Sequence, residues 1–133
     1  MLVVLDTNIL VAALLSPFGP PARVLDLVLS GDIRPAYDDR LLAEYREVLA
    51  RPKFGFAPAD VATVLAYLEA AGERVTARPL ACEWSDPDDL PFLEVAIEAG
   101  AVLITGNTTH YPQAIRGATQ VVTPGEFISS WRR

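Results

Sequence analysis

The apolar positions of this chain alternate between short unbroken runs and stretches spaced three and four residues apart. Leu2-Val3-Val4-Leu5 and Ala101-Val102-Leu103-Ile104-Thr105 are unbroken runs with β-branched residues, the pattern of strands buried on both faces in a parallel sheet. Ile33–Tyr37, Glu73–Ala77 and Val121-Val122 are shorter or less apolar strand signals, the first despite Pro35. Helical spacing fills the intervals. Asn8 to Leu15 reads as a short apolar helix that Ser16-Pro17-Phe18-Gly19-Pro20 ends, and Val24, Leu25, Val28 and Leu29 place a second helix between Pro21 and Gly31. Asp38 or Asp39 caps a third, to about Arg51, with Leu41, Leu42, Tyr45, Val48 and Leu49 on one arc. Pro58 to Ala71 is the most regular, with Val61, Val64, Leu65 and Leu68 on one face and Gly72 as its stop. Asp86-Pro87-Asp88-Asp89 opens a helix to Ala99 whose buried side is Phe92, Leu93, Ala96 and Ile97. Thr123-Pro124-Gly125-Glu126 matches a capping box with proline at the first helical position, opening a terminal helix through Trp131.

Strands alternating with helices argue for an α/β protein, a three-layer α/β/α sandwich around a mainly parallel central sheet. At 133 residues the expectation is one domain, 1–133. Ile9 to Leu15 is the longest uncharged apolar run and is far too short to span a bilayer, so a soluble protein is expected. Met1 to Leu5 has no basic flank or cleavage pattern and runs straight into Asp6, which argues against a secretory signal and for the cytoplasm. Cys82 is a single cysteine without a zinc-like neighbourhood and reads as a free structural thiol.

The net charge of -6 argues weakly against a protein that coats nucleic acid through a basic surface. It leaves a nuclease open, because clustered carboxylates that bind divalent cations add negative charge and the metal reverses the local sign. Of the eleven basic residues only Lys53 is not arginine, and five fall between Arg34 and Lys53, a grouping that a solvated helix face explains.

Asp6 directly follows the first strand, and ligands of open α/β sheets bind at the carboxyl ends of strands. Its structural alternative is to cap the helix that follows. Asp89 falls in the first turn of its helix, and a helix after a strand begins at that same edge in a right-handed crossover. Asn107 follows the next strand and reaches the same edge. Glu44 borders the apolar arc of the third helix, within two turns of its start, although an exposed pair with Arg40 would account for it. Four oxygen-bearing side chains, 38, 45 and 18 residues apart in sequence, are thus predicted to face one pocket. Asp86 reads as a helix-capping residue, and His110, alone in a loop, as a surface residue.

Crowded carboxylates repel one another unless a hard divalent cation, Mg²⁺ or Mn²⁺, lies among them. Such an ion lowers the pKa of a bound water and stabilises a leaving oxygen, which suits hydrolysis of a nucleic-acid backbone. No glycine-rich phosphate loop, Cys-His cluster or Gly-x-Ser-x-Gly motif competes.

Leu5-Asp6-Thr7-Asn8-Ile9-Leu10, Glu44, the stretch from Asp86 to Ala96 and Leu103-Ile104-Thr105-Gly106-Asn107 together resemble the PIN-domain family, most closely its bacterial and archaeal toxins of toxin-antitoxin systems. The resemblance spans nearly the whole chain. It implies a metal-dependent ribonuclease acting on RNA, held inactive by a small antitoxin and dimeric. It makes Asp6, Glu44 and Asp89 the acidic metal ligands, with Asn107 where many members carry a fourth acid. Asp86 and Asp88 are auxiliary candidates, and Thr7, Asn8 and Thr105 would shape the pocket by hydrogen bonds. Phe54, Phe56 and Trp131 look exposed and suit association. Two rivals remain. A phosphatase of the haloacid dehalogenase type needs a second Asp where Asn8 stands, and a degenerate PIN module would bind RNA or a protein without cutting, as the neutral Asn107 allows.

Overall fold

The computed structural model describes residues 1–80 and 87–131. Its sheet contains β1 (Leu2–Leu5), β2 (Arg34–Tyr37), β3 (Glu73–Arg74), β4 (Val102–Ile104) and β5 (Val121–Val122), in the order β3-β2-β1-β4-β5. All pairings are parallel. In β1, Val3 lies opposite Pro35 on one side and Val102 on the other. Enclosure by a strand on each side and packed layers above and below explains why Val3, Val4 and Leu5 tolerate no polar neighbour until Asp6.

The helices are α1 (Thr7–Leu15), α2 (Pro20–Leu29), α3 (Asp39–Leu49), α4 (Pro58–Ala71), α5 (Leu90–Ala99), α6 (Gln113–Arg116) and α7 (Pro124–Trp131). α5 packs across β1, β2 and β4, α3 and α4 pack on β2, and α2 joins α1 to α7. The result is the expected α/β fold, a five-stranded parallel sheet flanked by helices. Among the described residues no single helix is long and apolar enough to cross a membrane.

Local chemistry sets the ends. The side chain of Asp38, not Asp39, caps α3 by accepting from the Leu41 N–H at 3.0 Å. The terminal capping box forms in both directions: the Thr123 N–H donates to Glu126 at 2.8 Å and the Glu126 N–H to the Thr123 hydroxyl at 3.1 Å.

Four expectations change. β3 stops at Arg74 rather than Ala77, because at the sheet edge only the Val75 N–H finds a further partner, the Tyr37 carbonyl at 2.9 Å. α5 starts at Leu90 instead of Asp86. Pro87 to Asp89 form a turn, and Pro91 occupies a first-turn position where its missing N–H costs nothing. Asp86 and Cys82 lie outside the described residues. The buried side of α5 also differs, for Ile97 is 42% exposed while Val95 and Glu94 are enclosed. Glu94 is tolerated there because its carboxylate accepts from Arg40 at 2.6 Å and from the Leu80 N–H at 2.7 Å. Finally, Phe54 and Phe56 are half-buried and stacked on each other, leaving Phe18 and Trp131 as the exposed aromatics among the described residues.

Candidate active site

Asp6 stands at the N-cap position of α1, yet its side chain makes no cap bond. One carboxylate oxygen instead accepts from the Thr105 hydroxyl at 2.7 Å and the Tyr111 hydroxyl at 3.4 Å. The Thr105 hydroxyl in turn accepts from the Asn107 N–H at 3.1 Å, so the chain leaving β4 is tied to the end of β1. Burial pushes the Asp6 carboxyl above the ordinary aspartate range, and the hydrogen bonds from Thr105, the Thr7 N–H and Tyr111 only partly oppose it.

Glu44 does not pair with Arg40. Its carboxylate accepts from the Thr7 hydroxyl at 2.8 Å, a contact between α3 and the first residue of α1. Arg40 turns the other way, to Asp38 at 2.8 Å and Glu94 at 2.6 Å.

Asp89 meets a residue that sequence reasoning had set aside: its carboxylate lies 3.0 Å from His110 Nδ1. His110 Nε2 lies 2.8 Å from the amide nitrogen of Asn107, whose oxygen accepts from the Thr109 hydroxyl at 2.6 Å. With the amide so oriented, Nε2 accepts and the Nδ1 proton faces Asp89. A 3₁₀ turn over Thr108–His110 brings Asn107 and His110 together, since side chains three apart eclipse in that geometry.

Tyr111 joins these pieces. It is 1% exposed, and its ionisation is suppressed first by burial and then by the charges of Asp6, Asp89 and Glu44. Tyr45, whose hydroxyl donates to the Leu5 carbonyl at 2.6 Å, is held protonated by burial and then by Asp6, Glu44 and Asp38. Asp6, Glu44 and Asp89 therefore act on one phenol at the carboxyl edge of the sheet. The Asn107 side chain reaches that group through His110, and its backbone N–H through Thr105. Asn8 accepts from the Gly106 N–H at 3.4 Å, and Asp88 is exposed in the turn before α5.

The donor chemistry is that of a hard divalent cation: carboxylate oxygens from three elements, with negative charge in excess. Among the described residues no three acid, His or Cys side chains already close into a ligand cage, so water would complete any coordination shell, as Mg²⁺ commonly requires. Tyr111 and His110 are the residues missed. The three-residue spacing of Asn107 and His110 was the one signal that could have found the second.

The model of the PIN domain matches residues 2–109. The chain belongs to the PIN-domain family. A relative, the uncharacterized protein MJ1680 of Methanocaldococcus jannaschii, is 29% identical over 98% of this chain and 92% of its own length. Among solved structures, VapBC2 from Rickettsia felis, bound to a DNA fragment from their promoter, matches with a TM-score of 0.58. That match is 16% identical and covers 92% of this chain and 98% of the other. It establishes a shared PIN fold.

Proposed function

We propose that this PIN domain is a metal-dependent ribonuclease that hydrolyses RNA phosphodiester bonds, with Asp6, Glu44 and Asp89 holding Mg²⁺ or Mn²⁺. The observation that supports the reading is that Tyr111, whose hydroxyl bonds Asp6, is held protonated by burial and by the charges of Asp6, Asp89 and Glu44, which come from the end of β1, the turn before α5 and α3. When bound, the metal supplies an activated water and stabilises the departing oxygen. The chain's own residues orient the donors. Thr105 and Tyr111 aim Asp6, Thr7 aims Glu44, and His110 aims Asp89. Asn107 holds His110 in place and shapes the exit from β4.

The likeness to VapBC2 and the family resemblance support a cytoplasmic toxin controlled by a small antitoxin, with a second copy of the chain as a further partner. Leu15 and Phe18, at the turn from α1 to α2, and Trp131 at the end of α7 supply exposed apolar surface for association. An antitoxin arginine entering the acidic pocket would find bidentate partners.

The test is cleavage of RNA by purified protein with Mg²⁺ or Mn²⁺, with chelator, and by Asp6→Asn, Glu44→Gln and Asp89→Asn. Activity that survives chelation or all three substitutions refutes the site. Expression should slow growth, and the neighbouring small gene should relieve it. A second reading, binding without cleavage, is favoured by one observation: the Asn107 amide is occupied by Thr109 and His110 and brings no fourth charge. Metal-dependent cleavage eliminates it.

A further inference from the structure

Both ring nitrogens of His110 are engaged, although its side chain is 50% exposed. Nδ1 lies 3.0 Å from the Asp89 carboxylate and Nε2 lies 2.8 Å from the Asn107 amide nitrogen. An exposed imidazole held by one contact is free to rotate, whereas one held at both nitrogens has its plane fixed. The backbone builds this arrangement. The 3₁₀ turn over Thr108–His110 eclipses Asn107 and His110, and the Thr109 hydroxyl donates to the Asn107 oxygen at 2.6 Å, which turns the amide N–H groups toward the ring. From its backbone the same Asn107 donates to the Thr105 hydroxyl at 3.1 Å, and Thr105 donates to Asp6 at 2.7 Å. Asp6 and Asp89, on different elements, are thus joined through Asn107 by one run of hydrogen bonds. With its proton on Asp89 and its lone pair on Asn107, the imidazole keeps nothing free for a substrate, so it orients a neighbour rather than exchanging protons.

We propose that Asn107 and His110 are a positioning pair for the metal: Asn107 fixes the plane and tautomer of His110, His110 fixes the Asp89 carboxylate, and Asn107 thereby serves the site without being a ligand. The inference deepens the metal-dependent reading and rests on it. Groups behind a ligand set metal affinity by holding that ligand in its productive orientation before the ion arrives. A neutral amide suits the task, because it gives Nε2 a donor and leaves the ring a single proton, which Asp89 receives.

Two measurements on the full chain test the pair. In calorimetric titrations with Mn²⁺, His110→Ala should weaken binding by about tenfold or more. Asn107→Ala, which keeps the backbone N–H bonded to Thr105, should weaken it less, and the double variant should bind no worse than His110→Ala, since Asn107 acts through the ring. His110→Asn, whose amide nitrogen stands where Nδ1 stood, should recover most of the affinity, and His110→Gln, whose amide nitrogen stands where Nε2 stood, should not. Unchanged binding in both alanine variants or additive losses overturn the pair and leave the metal site standing. His110→Asn as weak as His110→Ala also overturns it, by making the ring itself a ligand. The second measurement needs neither variant nor metal: nitrogen NMR of the wild-type imidazole in mildly alkaline buffer should show the proton on Nδ1 and none on Nε2. A proton on Nε2, alone or with one on Nδ1, overturns the pair. No Mn²⁺ binding by wild type overturns the metal reading and this role with it, whereas the expected Mn²⁺ series without RNA cleavage overturns the nuclease and upholds the pair.

Discussion

Asp6 and Glu94 are both buried carboxylates, 7% and 5% exposed, and they are satisfied in opposite ways. Glu94 meets the Arg40 guanidinium and a backbone N–H, so its charge is neutralised inside the scaffold where α3, α5 and Leu80 meet. Asp6 receives hydroxyls and the Thr7 N–H, and among the described residues no arginine or lysine is paired with it. A buried charge with its own counterion is a structural joint. One stabilised mainly by neutral donors holds charge that a cation from solution would neutralise, at a cost in metal-free stability.

The largest test of that contrast is Asp6→Asn. Cleavage should fall about a hundredfold or more, the scale on which one lost electrostatic contact acts at a reacting centre. Thermal stability in metal-free buffer should rise above wild type, because a buried charge has been removed. A normal rate, or a lower Tm, places Asp6 with Glu94 among structural groups.

Arg40→Met inverts the experiment. It leaves Glu94 with one hydrogen bond, and denaturant unfolding should show a loss of about 2 kcal/mol, moderated by the exposure of Arg40 to water. Cleavage by the folded fraction should stay near wild type. Adding Glu94→Leu should recover much of the stability, since an apolar pair of similar volume replaces a buried ion pair well. Failure to recover would show that Glu94 does more than answer Arg40.

The pH dependence sharpens the same point. Because the folded Asp6 carboxyl titrates above its unfolded value of 3.8, the native state holds that proton more tightly. Its contribution to stability is present below that value and is lost as pH rises through the folded pKa. The Tm advantage of Asp6→Asn over wild type should therefore be small in acid, open as pH rises above 3.8, and level off beyond the folded value. A constant gap at all pH contradicts the assignment.

Asn107→Asp should have the smallest effect. A carboxylate there would accept from Thr109 and pair with His110, so its charge is absorbed locally rather than offered to a second ion. Calorimetric titration of Mn²⁺ into both proteins should give nearly matching isotherms, and strong new binding would place residue 107 in the metal site.

Periodicity and turn residues alone determined the order of elements, the central place of Leu2–Leu5, the reciprocal cap of Thr123 and Glu126, and the edge of the sheet at which Asp6 emerges. These are local properties: a run of apolar β-branched residues, a proline or a capping side chain acts within a few positions of itself. Which partner each acid takes was decided only by the tertiary structure. From sequence, Glu44 and Arg40 are neighbours one turn apart, yet Thr7 claims the first and Glu94 the second across the packed layers. Likewise α5 buries Glu94 and exposes Ile97, because what lies against a helix, rather than its own spacing, sets which face is covered. His110 reads as a solitary loop residue until the 3₁₀ turn sets it between Asn107 and Asp89. Tyr111, between His110 and Pro112, carries no periodic signal at all. Its hydroxyl reaches Asp6 and feels the charges of Asp89 and Glu44 because parallel strands distant in sequence end at one edge, and that long-range closure is invisible to any short window of the chain.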